Sequence, residues 1–224
     1  MAAANDHKQR LAAAAQALDI DLDGGKADAL LAYVAQLERW NRTYNLTAVR
    51  DVDQMMVQHL FDSLAVATPL ASILDKNTVH TPRVMDVGSG AGLPGAVLAI
   101  LYPQWQVHCV DAVEKKTAFI RQIASVLRLP NLHAVHARVE ALEPLAADIV
   151  ISRAFASLAD FATLAGPHVA AGGHLAAMKG REPQDEIDTL EQQTDWRASR
   201  IQTLLVPELN AQRCLVWLSR QGTP

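Results

Sequence analysis

Cysteine is nearly missing from this chain: Cys109 and Cys214 are the only two in 224 residues, and neither stands in a CxxC pair. That excludes a disulfide framework and sets a reduced, cytoplasmic environment as the expectation. Positive charge is also in deficit. Twenty Lys and Arg stand against 24 Asp and Glu, a formal net charge of -4, so any contact with nucleic acid has to come from a local basic patch. The opening stretch MAAANDHKQR lacks the apolar core of a signal peptide, and no apolar run approaches the roughly 18 residues of a membrane span. A soluble protein without membrane association is expected. With half the chain apolar, one domain with a substantial core is affordable, and a second independent one would be cramped.

The hydrophobic period changes once. Over the first 70 or so residues it is helical. Leu11, Ala14, Ala15 and Leu18 share one face, and Leu30, Leu31, Val34, Leu37 and Trp40 make a second stripe. A third helix is expected to start with Asp51 or Asp53 as N-cap, to carry Met56, Leu60, Ser63, Leu64 and Ala67 inward, and to stop at Pro69. The polar, proline-ended stretch SILDKNTVHTP (72–82) reads as a connection. The expected division is therefore a helical cap over residues 1–71 and a core over 72–224, in one compact unit.

After Pro82 short apolar strands alternate with helices, the pattern of parallel βαβ units whose sheet is covered on both faces. The expected strands are Arg83–Val87, Gln106–Asp111, Leu132–His136, Asp148–Ser152, His174–Lys179, Ile201–Val206 and Arg213–Leu218, with helices in the gaps between the first five. PELNAQ is too short for a crossover helix, so the last two strands should form an antiparallel hairpin.

The first strand runs into VMDVGSGAGLPG (84–95). A P-loop would need GxxxxGK[ST], and no Lys-Ser or Lys-Thr follows at that spacing. The dinucleotide fingerprint GxGxxG would need glycine at 93, where this chain has Leu. Pro94 has no N–H to aim at a pyrophosphate. The turn suits a ligand without phosphates, such as S-adenosylmethionine. Gly88, Gly90 and Gly92 let the backbone pass close beneath its methionine part. Asp86 lies where a carboxylate serves the ammonium group, directly or through water, and Asp111 ends the second strand, where a carboxylate accepts both ribose hydroxyls.

Together with RWNRTYNLTAVRD (39–51), HLFDSL (59–64), SRAFASL (152–158) and MKG (178–180), this turn resembles the RsmG (GidB) family of ribosomal RNA methyltransferases over nearly the whole chain. The resemblance implies a Rossmann-like class I methyltransferase fold, S-adenosylmethionine as methyl donor, and N7 methylation of a guanine in the 530 loop of 16S rRNA, position 527 in rRNA numbering. It also implies that Gly88, Leu93, the Val139–Glu140 pair and Arg153 contact the cofactor. Ala91 and Ser89 stand where the family often has Pro and Thr.

The residues agree with such chemistry. The fourth strand ends in SRAFAS, without the [ND]PP[YF] signature common among exocyclic-amine methylation, and both cysteines read as core thiols rather than the nucleophile that C5 methylation requires. Guanine N7 has an exposed lone pair, so alignment can serve without a base. Arg153 and Lys179 both follow apolar strands at the carboxyl edge and are the candidate catalytic residues. Arg153 either orients the cofactor or holds the guanine O6 or a phosphate, while Lys179 and Arg181 are candidates for the RNA backbone. Arg39, Arg42 and Arg50, placed around Trp40 and Tyr44, make a second candidate RNA surface of cations and rings. His133 and His136 fall on opposite sides of a strand, so no metal is expected. A monomer acting on 16S rRNA in the small subunit is the expectation. The rivals are an NAD-dependent oxidoreductase, which lacks its glycine at 93, and a noncatalytic RNA-binding assembly factor, which should have lost Asp111 or the glycines.

Overall fold

The computed structural model describes residues 2–77 and 81–220. Seven strands, β1 (Arg83–Val87), β2 (Gln106–Asp111), β3 (Leu132–His136), β4 (Ala147–Ser152), β5 (Val169–Lys179), β6 (Trp196–Thr203) and β7 (Cys214–Arg220), form one sheet in the order β3-β2-β1-β4-β5-β7-β6. The first five are parallel, and β7 runs antiparallel to both β5 and β6. The strand order reverses between β1 and β4, which opens a crevice above their carboxyl ends, where open α/β sheets bind ligands.

Alternating side chains send each strand's residues to two cores. Val84, Val107, Cys109, Ile149, Ile151 and Trp217 join the cap and the helices α6 (Gly95–Leu101) and α7 (Glu114–Val126) in one cluster. Met85, Val87, Val110, Val150 and Val216 face α8 (Leu158–Ala165) and α9 (Gln184–Gln193) in the other. Cys109 and Cys214 are both buried free thiols.

The cap comprises α1 (Ala2–Ala17), α2 (Lys26–Tyr44), α3 (Val52–Met55), π-helical turns over Met56–Phe61, α4 (Asp62–Leu64) and α5 (Ala67–Asn77). Asp51 is the N-cap of α3, its Oδ1 accepting the Gln54 N–H at 2.9 Å. Met56, Leu60, Ser63, Leu64 and Ala67 are all fully buried. By length and composition the 23 residues Val52–Leu74 could cross a bilayer, contrary to the expectation that no run comes close. Here they serve as the apolar centre of the cap against the sheet.

Several boundaries differ from the sequence reading, β4 starting at Ala147 and β7 running from Cys214 to Arg220 among them. Pro69 does not end the third helix: it sits in the first turn of α5, where a missing N–H costs nothing, so position 72 falls inside a helix. Residues 78–80 of the expected connection lie outside the described residues. Between β3 and β4 there is no α-helix, only a 3-10 turn over Val139–Ala141. β5 begins at Val169 rather than His174, because the chain passes through Gly172 and Gly173 without leaving the strand; a Cβ on Gly173 would lie 2.8 Å from the Asp148 carbonyl oxygen. β6 starts at Trp196 and ends at Thr203, and a register shift between Ala198 and Arg200 breaks the alternation that would have revealed it. The antiparallel hairpin itself is as expected.

Candidate active site

The glycine turn hangs on β2. The N–H groups of Gly88 and Ser89 donate to the Val110 carbonyl at 2.8 and 3.1 Å. Gly88, Gly90 and Gly92 all have left-handed φ, +68°, +60° and +82°, which a side chain would strain. Their surroundings differ. A Cβ on Gly88 would lie 2.8 Å from the Ala154 Cβ, whereas one on Gly90 would meet nothing within 4 Å. The turn is thus closed toward β4 and open at its crest.

Asp111 governs that opening. Its Oδ2 accepts the Gly90 N–H at 2.9 Å, its Oδ1 the Val113 N–H at 2.9 Å, and Lys116 Nζ lies 3.6 Å away. A carboxylate has about four lone-pair sites, so two remain for ligand hydroxyls. Asp86 lies deeper. It is fully buried, its Oδ2 accepts the Gly95 N–H at 2.8 Å, and its Oδ1 has no partner. Burial pushes its carboxyl up to about 7, against the opposing pull of that hydrogen bond and of Arg153. The Ser89 hydroxyl is a second buried polar atom without a partner. Leu93 is buried and offers only its backbone, Val139 is buried in the 3-10 turn, and Glu140 is exposed beside Arg138, 3.8 Å away. Open space over Gly90, lone pairs on Asp111 and the orphaned polar atoms beneath fit a nucleoside bearing an amino-acid arm.

Beyond β4 the chain turns from the cradle to a second space in one residue: Ala154 abuts Gly88, and Arg153 lines a cleft of about 300 Å³. The cleft lies between the π-helical turns, which supply Gln58 and His59, and the edge formed by β5 and β7. Asp62 is its anchor. One oxygen takes Arg153 Nη1 at 3.2 Å and the other takes Arg213 Nε at 2.9 Å. Arg153 Nη1 also donates to the Gln58 carbonyl at 3.3 Å. The imidazole of His59 is held low, to about 4, by burial and by the nearby Arg153, with the Gln58 carbonyl and Asp62 pulling more weakly the other way. It is neutral at physiological pH.

Lys179, expected to present its charge to RNA or substrate, is tied inside the chain instead. Its ammonium ion-pairs with Glu186 at 2.7 Å and donates to the carbonyls of Phe155 and Ala156 at 3.2 and 3.4 Å. Since Glu186 also accepts the Leu158 N–H, this cluster fixes the loop after β4, on which Arg153 depends. Arg181, two residues on, is exposed. On α2, Trp40 packs edge-on against Phe119, and Tyr44, half-exposed, lies tilted against Trp40 with ring centroids 4.9 Å apart. Around them Arg39, Arg42 and Arg50 are exposed, Arg42 pairing with Glu38 and Arg50 donating to Asn45.

His133 bonds Gln106 and stacks on His108, while His136 meets the Ala112 carbonyl. Ligand atoms of Asp6, His7 and Asp53 do converge, but Asp53 is already paired with Arg10 and His7.

Sequence reasoning missed Asp62, His59 and Arg213. HLFDSL was visible as a motif, but nothing local shows that residues 62, 153 and 213 meet.

The chain matches the family described as rRNA small subunit methyltransferase G (GidB) over residues 26–216. It is 60% identical over 219 residues to the ribosomal RNA small subunit methyltransferase G of Bordetella petrii, covering 97% of this chain and 85% of that one. To the protein of the same name from Leptothrix cholodnii it is 51% identical, with 94% of each covered. Among solved structures it resembles a SAM-dependent methyltransferase from Leishmania major, with a TM-score of 0.60, 13% identity, and 84% and 83% of the two chains covered. A SAM-dependent methyltransferase from Aquifex aeolicus gives a TM-score of 0.53 at 15% identity, covering 70% of this chain and 92% of that one.

Proposed function

The chain belongs to the rRNA small subunit methyltransferase G family, and from that membership we propose that it transfers the methyl group of S-adenosylmethionine to N7 of a guanine in the 530 loop of 16S rRNA. The observation that carries this reading is the single-residue step from Ala154, against the glycine cradle, to Arg153, in a cationic cleft. A nucleoside-shaped site and a base-sized site share one wall.

When bound, S-adenosylmethionine supplies an electrophilic methyl on a sulfonium. The chain's own residues do the holding. Asp111 accepts the ribose hydroxyls with its free lone pairs, the open crest at Gly90 lets the amino-acid arm lie close, and Asp86 beneath is placed for the ammonium. The Leu93 backbone, Val139 and Glu140 border the base. Arg153, fixed by Asp62, orients the reacting groups, and Lys179 is a positioning residue that holds the loop carrying Arg153.

Nothing in the cleft is suited to remove a proton or attack carbon. His59 is neutral but poorly basic, with its value near 4. Cys214 is buried, and burial pushes its thiol up, so little of the reactive thiolate forms. Guanine N7 needs neither. Its lone pair needs only to be aligned with the methyl carbon and sulfur, a contribution that effective-molarity arguments put at several kcal/mol, of order ~7. Arg39, Arg42, Arg50 and Arg181 are read as phosphate contacts, and the chain as a monomer working without a metal ion.

The product chemistry tests the assignment. N7 methylation leaves a fixed positive charge on the imidazole ring, which makes that nucleotide open to borohydride reduction and aniline scission. Purified protein, methyl donor and small subunits from a strain lacking the protein should yield one new scission in the 530 loop. Methyl incorporation without scission would overturn N7.

A further inference from the structure

We propose that the cleft between the π-helical turns of the cap and the β5/β7 edge seats the acceptor guanine out of its stack, with His59 donating to O6 and Arg213 holding the nucleotide's phosphate. This rests on the methyl-transfer reading above and names the groups that would select and place the base.

Size is the first argument. At about 300 Å³, the cleft is at the lower limit of small-molecule sites, enough for one planar base and too small for a folded strand. Enzymes that modify a base withdraw it from the stack into such a pocket. Met178 and Leu204, both nearly buried, give it apolar walls.

Charge is the second. Asp62 is nearly buried and carries one negative charge against two guanidinium groups, Arg153 and Arg213, whose side chains remain 29% and 27% exposed. The anchor holds Arg213 by Nε and leaves the cleft with surplus positive charge. Arg213 Nη1 also donates to the Gln212 carbonyl at 2.9 Å, so the guanidinium is restrained at two nitrogens and presents Nη2 to a phosphate.

His59 supplies the third. The residue is more than nine-tenths buried and lines the cleft, and its Nδ1 has no hydrogen-bond partner. Its Nε2 lies 2.8 Å from Thr47 Oγ1, which already accepts the Val49 N–H at 3.2 Å. The Thr47 hydroxyl can direct its proton at Nε2, and in that tautomer the ring proton sits on Nδ1. The Gln58 carbonyl that pulls on the ring is already shared with Arg153, and a ligand carbonyl would satisfy the ring N–H that the geometry leaves unpaired. Guanine offers O6 beside N7. A single donor on O6 leaves the N7 lone pair free, whereas a fork spanning O6 and N7 would mask it. Adenine presents an amino group in place of O6, donor against donor, and is rejected. The π-helical turns, a distortion frequent at functional sites, set Gln58 and His59 along one wall, with Asp62 at the start of α4 just beyond them.

The test uses the full chain saturated with S-adenosylhomocysteine. Guanosine monophosphate should shift the imidazole nitrogen signals of His59, identified by their loss in His59→Gln, and adenosine monophosphate should not. With small subunits as substrate, Arg213→Ala should raise KM at least about tenfold while kcat and S-adenosylmethionine affinity stay within about threefold, and Arg213→Lys should recover part of the loss. Unmoved His59 signals, or an Arg213→Ala variant with wild-type KM in the presence of active wild-type controls, overturn the pocket and leave the methyl-transfer reading intact. A wild-type protein that produces no methylguanosine at all overturns that reading instead.

Discussion

The carboxylate of Asp62, in the helical cap, accepts from Arg213 Nε at 2.9 Å across 151 positions of sequence. Its other oxygen holds Arg153 at 3.2 Å, so one cap residue fixes two cations, one just after β4 and one just before β7. Replacing it tests whether the cap is part of the site. Asp62→Ala should cost about 2 kcal/mol of stability, since both arginines retain access to water. Methylation should fall at least about tenfold at temperatures well below unfolding. Denaturant titration and single-turnover assays read the two effects separately; loss of stability with full activity would reduce Asp62 to a structural tie.

Asp111 is expected to dominate cofactor affinity. Asp111→Ala should weaken S-adenosylmethionine by roughly 1 to 3 kcal/mol, because two hydroxyls lose a charged acceptor. NAD should show no saturable binding to either protein. Calorimetry decides, and an unchanged affinity would place the ribose elsewhere.

Asp86 should make stability depend on pH with a definite sign. Its value in the folded chain is raised from 3.8 to about 7, so between these limits the native state keeps a proton that the unfolded chain has released. The stabilisation is fully present below about pH 4 and is lost as pH rises to about 7, at roughly 1.4 kcal/mol per unit. Asp86→Asn, which still accepts the Gly95 N–H, should remove that slope. Urea unfolding at pH 5, 6, 7 and 8 measures it, and equal slopes in both proteins would refute the assignment.

The α2 patch calls for charge reversal. Arg39→Glu with Arg42→Glu should impair methylation of small subunits, more so at low salt, by repelling phosphate. S-adenosylmethionine affinity should not change. Normal turnover at physiological salt would return these arginines to the role of solvated helix-end charges.

Much of this protein was written locally. The short apolar runs located β1, β2 and β3 to the residue, because the strands of a parallel sheet covered on both faces carry little else. The glycines at 88, 90 and 92 announced a tight, open turn because only a residue without Cβ takes left-handed φ at three alternate positions without strain. Asp111 followed from its place at the next strand's end. Where local signals conflicted with packing, packing prevailed: Pro69 was absorbed in the first turn of α5, and Gly172-Gly173 stayed in β5 to pass close to β4. The cleft lay beyond sequence reasoning altogether. Only the antiparallel return of β7, pairing Cys214 with Lys179, carries Arg213 to the carboxyl edge where Arg153 ends β4. Only the cap, folded over that edge, brings Asp62 to both. Each residue's own neighbours describe an ordinary helix or strand end; the site exists because three distant segments share one buried carboxylate, whose two oxygens demand partners that only the tertiary fold supplies.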